Sequence, residues 1–210
     1  RGNACRFKPA EKRTRISPES GETMTTYVVR VQGRVSQGVS GMNLREGDHV
    51  IGMIVTEDFN TSVLTISKYG MAKRSRLGSG EMIPLTDEAG SDVRDDEGEI
   101  VNVRDGYRRT NRGTKGVRTM SLRDDDHIVS VRQIPNLEDQ LFMLTESGMM
   151  IRMVSGQTKE TLGKVTKGTR IMELRNADRT GYVDEIVFVA RLPSELVDPQ
   201  DAVDEISEEE

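Results

Sequence analysis

Tryptophan is absent, and aromatic residues make up only 4 % of the 210 positions. That leaves little flat surface on which unpaired bases could stack, which argues against single-stranded nucleic acid as a ligand. There is one cysteine, Cys5. A lone thiol excludes an internal disulfide framework and a zinc site built on cysteines; a reducing compartment fits, and Cys5 reads as a small strand residue. No apolar run approaches the roughly 20 residues of a membrane-spanning helix. Residues 1–6 contain no apolar segment of the secretory kind. The first residue is not Met and the opening falls inside a repeated motif, so the N-terminus is expected to be a cut within a longer protein. Walker-type phosphate loops and nucleophile motifs are missing too.

Acidic residues outnumber basic ones, 35 to 30, for a net charge of −5. The excess is segregated. Residues 195–210 hold eight acids (Glu195, Asp198, Asp201, Asp204, Glu205, Glu208, Glu209, Glu210) and neither Lys nor Arg. Without them 30 basic residues face 27 acidic ones, so the body is cationic. A second acidic run spans 87–105. Charge that is sorted along the chain says more about partners than its sum does.

What the sequence does contain is an internal repeat. Gly33-Arg34-Val35-Ser36-Gln37-Gly38-Val39, followed by Leu44-Arg45, returns as Asn111-Arg112-Gly113-Thr114-Lys115-Gly116-Val117 with Leu122-Arg123. It returns again as Gly163-Lys164-Val165-Thr166-Lys167-Gly168-Thr169 with Leu174-Arg175. A second motif alternates with it: Val63-Leu64-Thr65-Ile66-Ser67-Lys68-Tyr69-Gly70-Met71-Ala72-Lys73-Arg74, then Leu141-Phe142-Met143-Leu144-Thr145-Glu146-Ser147-Gly148-Met149-Met150-Ile151-Arg152. Gly2 to Arg6 is the end of another copy. Gly38 to Gly70 and Gly116 to Gly148 are the same distance apart, while the other leg varies, as insertions on one face would make it. The apolar runs 49–55, 63–66, 140–144 and 185–189 are short, rich in Val, Ile and Thr, and without helical periodicity, so they are expected as strands. Tyr69-Gly70 and Ser147-Gly148 are expected as hairpin turns. A period near 50 residues built of such strands describes propeller-like blades, each covering the faces of its neighbours. The expected organisation is a repeat body over 1–193, with exposed, mobile insertions near 11–26 and 81–106. A disordered acidic tail is expected over 194–210.

Cations recur in register with the repeats. Arg6, Lys73, Arg74, Arg76 and Arg152 follow the hairpin glycines. Arg34, Arg108, Arg109, Arg112, Lys115, Lys164 and Lys167 precede the loop glycines, and Arg118 and Arg170 come just after them. Equivalent positions in successive blades are expected to form a curved basic band, with Arg34, Arg112 and Lys164 on one arc. Such a band suits the phosphates of bent duplex DNA. His49 and His127 occupy equivalent repeat positions and are expected to be structural, since a catalytic histidine has no reason to recur with the period. Asp124-Asp125-Asp126 could ligate Mg²⁺ through oxygen, but reads more simply as a polar turn.

The segments from Val31 to Asp48 and from Ser67 to Arg74 resemble the repeated blade signature of the C-terminal domain of DNA gyrase A, in the type IIA topoisomerase family. The resemblance runs over most of residues 1–192 apart from the insertions. It implies an all-β fold, a β-pinwheel of antiparallel blades of which about three are present, and a module that binds and wraps double-stranded DNA. Through the remainder of gyrase A, with gyrase B in an A2B2 assembly, such a module supports ATP-dependent negative supercoiling. By the same resemblance the catalytic residues and the Mg and ATP sites lie outside this chain, which is expected to bind no cofactor or metal. The setting is expected to be the bacterial cytoplasm at the nucleoid, with no membrane partner. The nearest local echo of the gyrase-specific motif, Thr110-Asn111-Arg112-Gly113-Thr114-Lys115-Gly116, lacks its Gln and second Gly. The A subunit of topoisomerase IV therefore stays open as an alternative, as does a propeller-like protein-interaction scaffold. Regular blades and the acidic tail favour gyrase.

Overall fold

The computed structural model describes residues 2–8, 11–18, 21, 23–29, 31–123, 125–161 and 166–197. In chain order the strands are β1 (Asn3–Ala4), β2 (Lys12–Ile16), β3 (Thr23–Tyr27), β4 (Ser62–Ser67), β5 (Met71–Arg76), β6 (Met82–Pro84), β7 (Asn102–Arg104), β8 (Val117–Arg118), β9 (Ile128–Ile134), β10 (Gln140–Thr145), β11 (Met150–Val154), β12 (Thr169–Arg170) and β13 (Ile186–Leu192). Single 3-10 turns at Ser155–Gln157 and Ser194–Leu196 are the only helical pieces among the described residues. The all-β architecture follows from the short β-branched runs, which cannot supply the long apolar stripe a helix needs.

The second repeated motif folds as a hairpin each time. β4 pairs antiparallel with β5 and β10 with β11. Gly70 and Gly148 turn the chain at φ of 75° and 89°, each N–H donating back to the residue three before it, Ser67 and Thr145. The first motif then sends two strands in opposite directions. Its second strand joins the hairpin just before it: β9 pairs with β4 and β13 with β10. Its first strand reaches back one hairpin further: β8 pairs with β1 and β12 with β5. The resulting sheets, β12-β5-β4-β9 and β11-β10-β13, are blades whose strands are contributed by neighbouring repeats.

Every residue of β4 is buried, as expected for a strand with a partner on each edge and a layer on each face. The core links the two large sheets through Leu64, Ile66, Ala72 and Ile134 from one and Leu141, Met143, Ile186 and Val189 from the other, with Leu174 beside them. Burying such aliphatic side chains contributes about 1.5–3 kcal/mol each relative to exposure.

The run 49–55, expected as a strand, has no ladder. Val50, Met53 and Val55 are exposed, Val55 at 81 %. Alignment of His49 with His127 makes 50–56 the counterpart of β9. Among the described residues no strand pairs with it. The insertions are more ordered than expected. β2 and β3 form a five-pair hairpin, and β6 and β7 a three-pair one. The latter continues through Leu85, Val93 and Val101, which hydrogen-bond in series to build two stacked turns over 87–91 and 95–99. At the other end the body extends past the expected boundary at 193. The Ser194 N–H donates to buried Asp139 at 3.0 Å, and Asn136 donates to the Ser194 hydroxyl. The acidic tail from 198 onward lies outside the described residues.

Candidate nucleic-acid interface

Arg6, Arg74 and Arg152 sit four residues after a hairpin glycine in three successive copies. Arg74 lies on β5, which is central in its sheet, and its side chain is turned inward. Arg74 is 8 % exposed. Its Nε donates to the Thr158 carbonyl at 2.7 Å and its Nη1 pairs with Glu160 at 3.0 Å. Arg6 donates to three carbonyls, those of Leu77, Tyr107 and Gly78, at 2.7–2.9 Å, while its guanidinium lies 5.0 Å from the centre of the Phe59 ring. Burial lowers its pKa, and neighbouring Arg109 adds to that. Arg152 donates to Gln140 and lies over Phe142. Arg6 and Arg74 clamp a strand to the loop beside it, while Arg152 stays within its own hairpin, on Gln140 and Phe142 of β10. Their charge is directed at carbonyls, and five guanidinium donors in a fixed fork suit that task better than one ammonium.

The loop cations divide. Arg112 is a strut, donating to the carbonyls of Val28 at 2.7 Å and Ser40 at 3.1 Å. Arg170 pairs with Glu173 at 2.6 Å. By contrast Arg34, Arg108, Arg109, Lys115, Arg118 and Lys167 are exposed, and their side chains make no hydrogen bond or ion pair with the described residues. Lys164 lies outside the described residues, so of the arc Arg34–Arg112–Lys164 the structure describes two members, one of them exposed.

Lys73 is placed differently from the expected rim position. It is 3 % exposed, and its Nζ donates to the Thr119 carbonyl at 2.6 Å. Burial lowers its pKa. It lies at a small open cleft whose walls are β5 (Lys73, Ser75, Arg76), the base of the second insertion (Arg104, Gly106, Tyr107, Arg108) and β8 with its flank (Val117, Arg118, Thr119). Thr161 completes the lining.

Three comparisons decide the family. The family model described as "DNA gyrase C-terminal domain, beta-propeller" matches residues 23–57, 104–135 and 139–180. The DNA gyrase A subunit of Fibrobacter succinogenes is 30 % identical over 74 % of this chain and 19 % of its own length. The DNA gyrase A subunit of Campylobacter jejuni is 31 % identical over 84 % of this chain and 17 % of its own length. The chain belongs to the family of DNA gyrase A C-terminal domains. It spans less than a fifth of the length of those relatives. A solved topoisomerase IV C-terminal domain superposes with a TM-score of 0.56 over 88 % of this chain and 48 % of that one, at 15 % identity, which establishes the shared pinwheel fold.

Within this gyrase-family blade array the remaining candidates are structural. Tyr69 and Tyr182 stack on each other with ring centres 3.9 Å apart, joining a hairpin turn to the third loop. Tyr107 is half-buried; burial raises its pKa, while hydrogen bonds with Ser75 and Thr65 work against that rise. The His127 carbonyl accepts from the Lys68 N–H. Asp126 accepts weakly from the Tyr69 N–H at 3.4 Å, as a turn residue does, and Asp124 lies outside the described residues. Among the described residues no group of three or more His, Cys, Asp or Glu side chains gathers as a metal site, and no helix is long and apolar enough to cross a membrane. Sequence reasoning missed Arg104, which its place in an otherwise acidic insertion concealed. It also missed the inward turn of Arg74, which the central place of β5 in its sheet could have signalled.

Proposed function

We propose that this chain is a duplex-binding and DNA-wrapping part of DNA gyrase A, and that it holds DNA through its phosphates. The observation that carries the reading is the set of exposed cations without an internal partner, Arg34, Arg108, Arg109, Lys115, Arg118 and Lys167, on blades of a gyrase-family pinwheel. Charges that already serve the fold, such as Arg74 and Arg112, contribute little to such binding. The six free ones are available to displace condensed counterions. Scarce aromatic residues fit duplex better than single strands. Bending a short site costs roughly 1–6 kcal/mol, so the contacts of several blades must act together to offset it. The gyrase A relatives favour gyrase over topoisomerase IV.

In this reading the enzyme is an ATP-dependent type IIA topoisomerase of the bacterial cytoplasm and nucleoid. The remainder of gyrase A, with gyrase B in an A2B2 assembly, supplies the cleavage chemistry and the Mg and ATP sites. The role of this part is to bend duplex and present it to them. The test is a salt titration of duplex binding by the full chain, on short and on several-hundred-base-pair DNA, with linking-number change measured on nicked circles closed by ligase. Steep loss of affinity with salt, preference for long DNA and a shift in linking number are expected. Weak salt dependence with no length preference would point instead to a protein-interaction scaffold.

A further inference from the structure

We propose that the cleft between β5, β8 and the base of the second insertion is a discrete phosphate-binding site, which seats one backbone phosphate of the bound duplex. The identity of the phosphate's bearer rests on the duplex reading above; the site itself does not.

Five cations, Lys73, Arg76, Arg104, Arg108 and Arg118, line the cleft, and no carboxylate does. Asp105 pairs with Arg76 at 3.3 Å, which leaves the five lining cations in clear excess. That carboxylate is itself held ionised, its pKa lowered chiefly by the N–H of Ser79. Three of the five cations are fixed before any ligand arrives. Lys73 is tied to Thr119, Arg76 to Asp105, and Arg104 donates to the Gly80 carbonyl at 2.7 Å. The other two, Arg108 and Arg118, are exposed and have no partner among the described residues. A fixed floor with two mobile arms is suited to closing on a tetrahedral anion. Guanidinium groups bind phosphate oxygens in pairs, and the hydroxyl of Thr161 in the lining adds a neutral donor, whereas those of Ser75 and Thr119 are engaged by Tyr107 and the Gly2 carbonyl. A phosphate fits this donor set better than a planar carboxylate, which offers fewer acceptor directions.

The constellation is not a by-product of the repeat. In the third blade the counterparts of Lys73, Ser75 and Arg76 are Ile151, Met153 and Val154; at the start of the chain they are Cys5, Phe7 and Lys8. Arg104 and Gly106 come from the second insertion, whose sequence has no counterpart in the other repeats. The third blade therefore forms without these charges. Gly106 holds the insertion's return in place: at φ 69° it packs where an added Cβ would stand 2.1 Å from the Leu77 carbonyl. The tight return is what brings Arg104 and Arg108 to the same cleft.

The experiment is an NMR titration of the full chain with inorganic phosphate, followed by addition of duplex DNA. Saturable shifts confined to the amides of residues 73–76, 104–108 and 117–119 are expected. They should be lost in R108Q/R118Q, whose side chains hold nothing in the fold, and kept in the charge-matched control R34Q/K167Q. Duplex should displace the phosphate from wild type, and R108Q/R118Q should lower duplex affinity about tenfold and reduce the salt slope by about two. Absent or non-saturable shifts, or shifts unchanged in R108Q/R118Q, would overturn the site even if the chain binds DNA well. Saturable phosphate binding that duplex does not displace would overturn the DNA assignment and leave free phosphate as the ligand. Failure of duplex binding altogether would be seen in the separate salt titration and would count against the functional reading rather than the site.

Discussion

Gly38, Gly116 and Gly168 occupy one position in three copies of the loop motif, with φ of 80°, 70° and 78°. Their surroundings differ. A Cβ on Gly168 would stand 2.1 Å from the Ala72 carbonyl, and on Gly116 2.5 Å from that of Ala4; on Gly38 it would meet nothing within 4 Å. The close approach belongs to pairing with the hairpin two places back, which Gly38 does not have here. Gly38→Ala is therefore expected to cost only the left-handed backbone term, about 1–2 kcal/mol. Gly168→Ala adds a backbone collision of roughly 1–3 kcal/mol. Urea midpoints of the two variants would measure this, and equal losses would refute the pairing argument. Asp184 offers a test in pH. The Ser147 hydroxyl, and after it Thr145, hold its pKa at about 2, well under the ordinary 3.8. A depressed carboxylate stabilises the fold above its ordinary range and loses that contribution as pH falls through its folded value. The stability gap between wild type and Asp184→Asn should thus narrow as pH drops from about 4 to about 2. A gap independent of pH would show that the charge is irrelevant. The same scale shows what sequence could not settle. Arg6, Arg74 and Arg152 were legible as a recurring cation, but recurrence serves a clamp as readily as a binding band. Only the partners each guanidinium meets tell which.

Hairpins were the most legible elements, because Gly at a positive-φ turn between β-branched runs leaves the chain few other choices. β4, β10 and β13 fall within a few residues of the expected runs 63–66, 140–144 and 185–189. The strand expected at 49–55 failed for a reason that no local pattern contains: a strand is a relation between two segments, and 49–55 has no register partner among the described residues. The insertions were misjudged from composition alone. Residues 85–101 hold seven acids and one Arg, yet Asp87 and Asp95 each accept two backbone N–H groups and fold the segment into tandem turns. Amide exchange separates these cases. Residues 50–55 should exchange orders of magnitude faster than their repeat counterparts in β9, whose N–H groups are laddered against β4. Comparable protection of the two segments would mean that 50–55 has found a partner strand.

Across the whole molecule, charge is sorted into a cationic blade body and two acidic pieces, the second insertion and the tail. Sorting of this kind creates an internal competitor: an acidic segment tethered to the body is present at high effective concentration near the cations that duplex must reach. The docked turn at Ser194–Leu196 fixes where the tail leaves the body, so its reach is set from Val197 onward. Removing 198–210 deletes seven acids while sparing that turn. Duplex affinity should rise several-fold at low salt, and the gain should fade toward 1 M salt, where the screening length falls to about 3 Å. An uncharged tail of equal length, with the acids changed to Ser and Gln, should reproduce the gain if charge is the cause. Should that neutral tail bind duplex no better than wild type at low salt while the deletion does, bulk rather than charge obstructs the DNA. If neither change alters affinity, the tail does not compete with DNA for the blade cations.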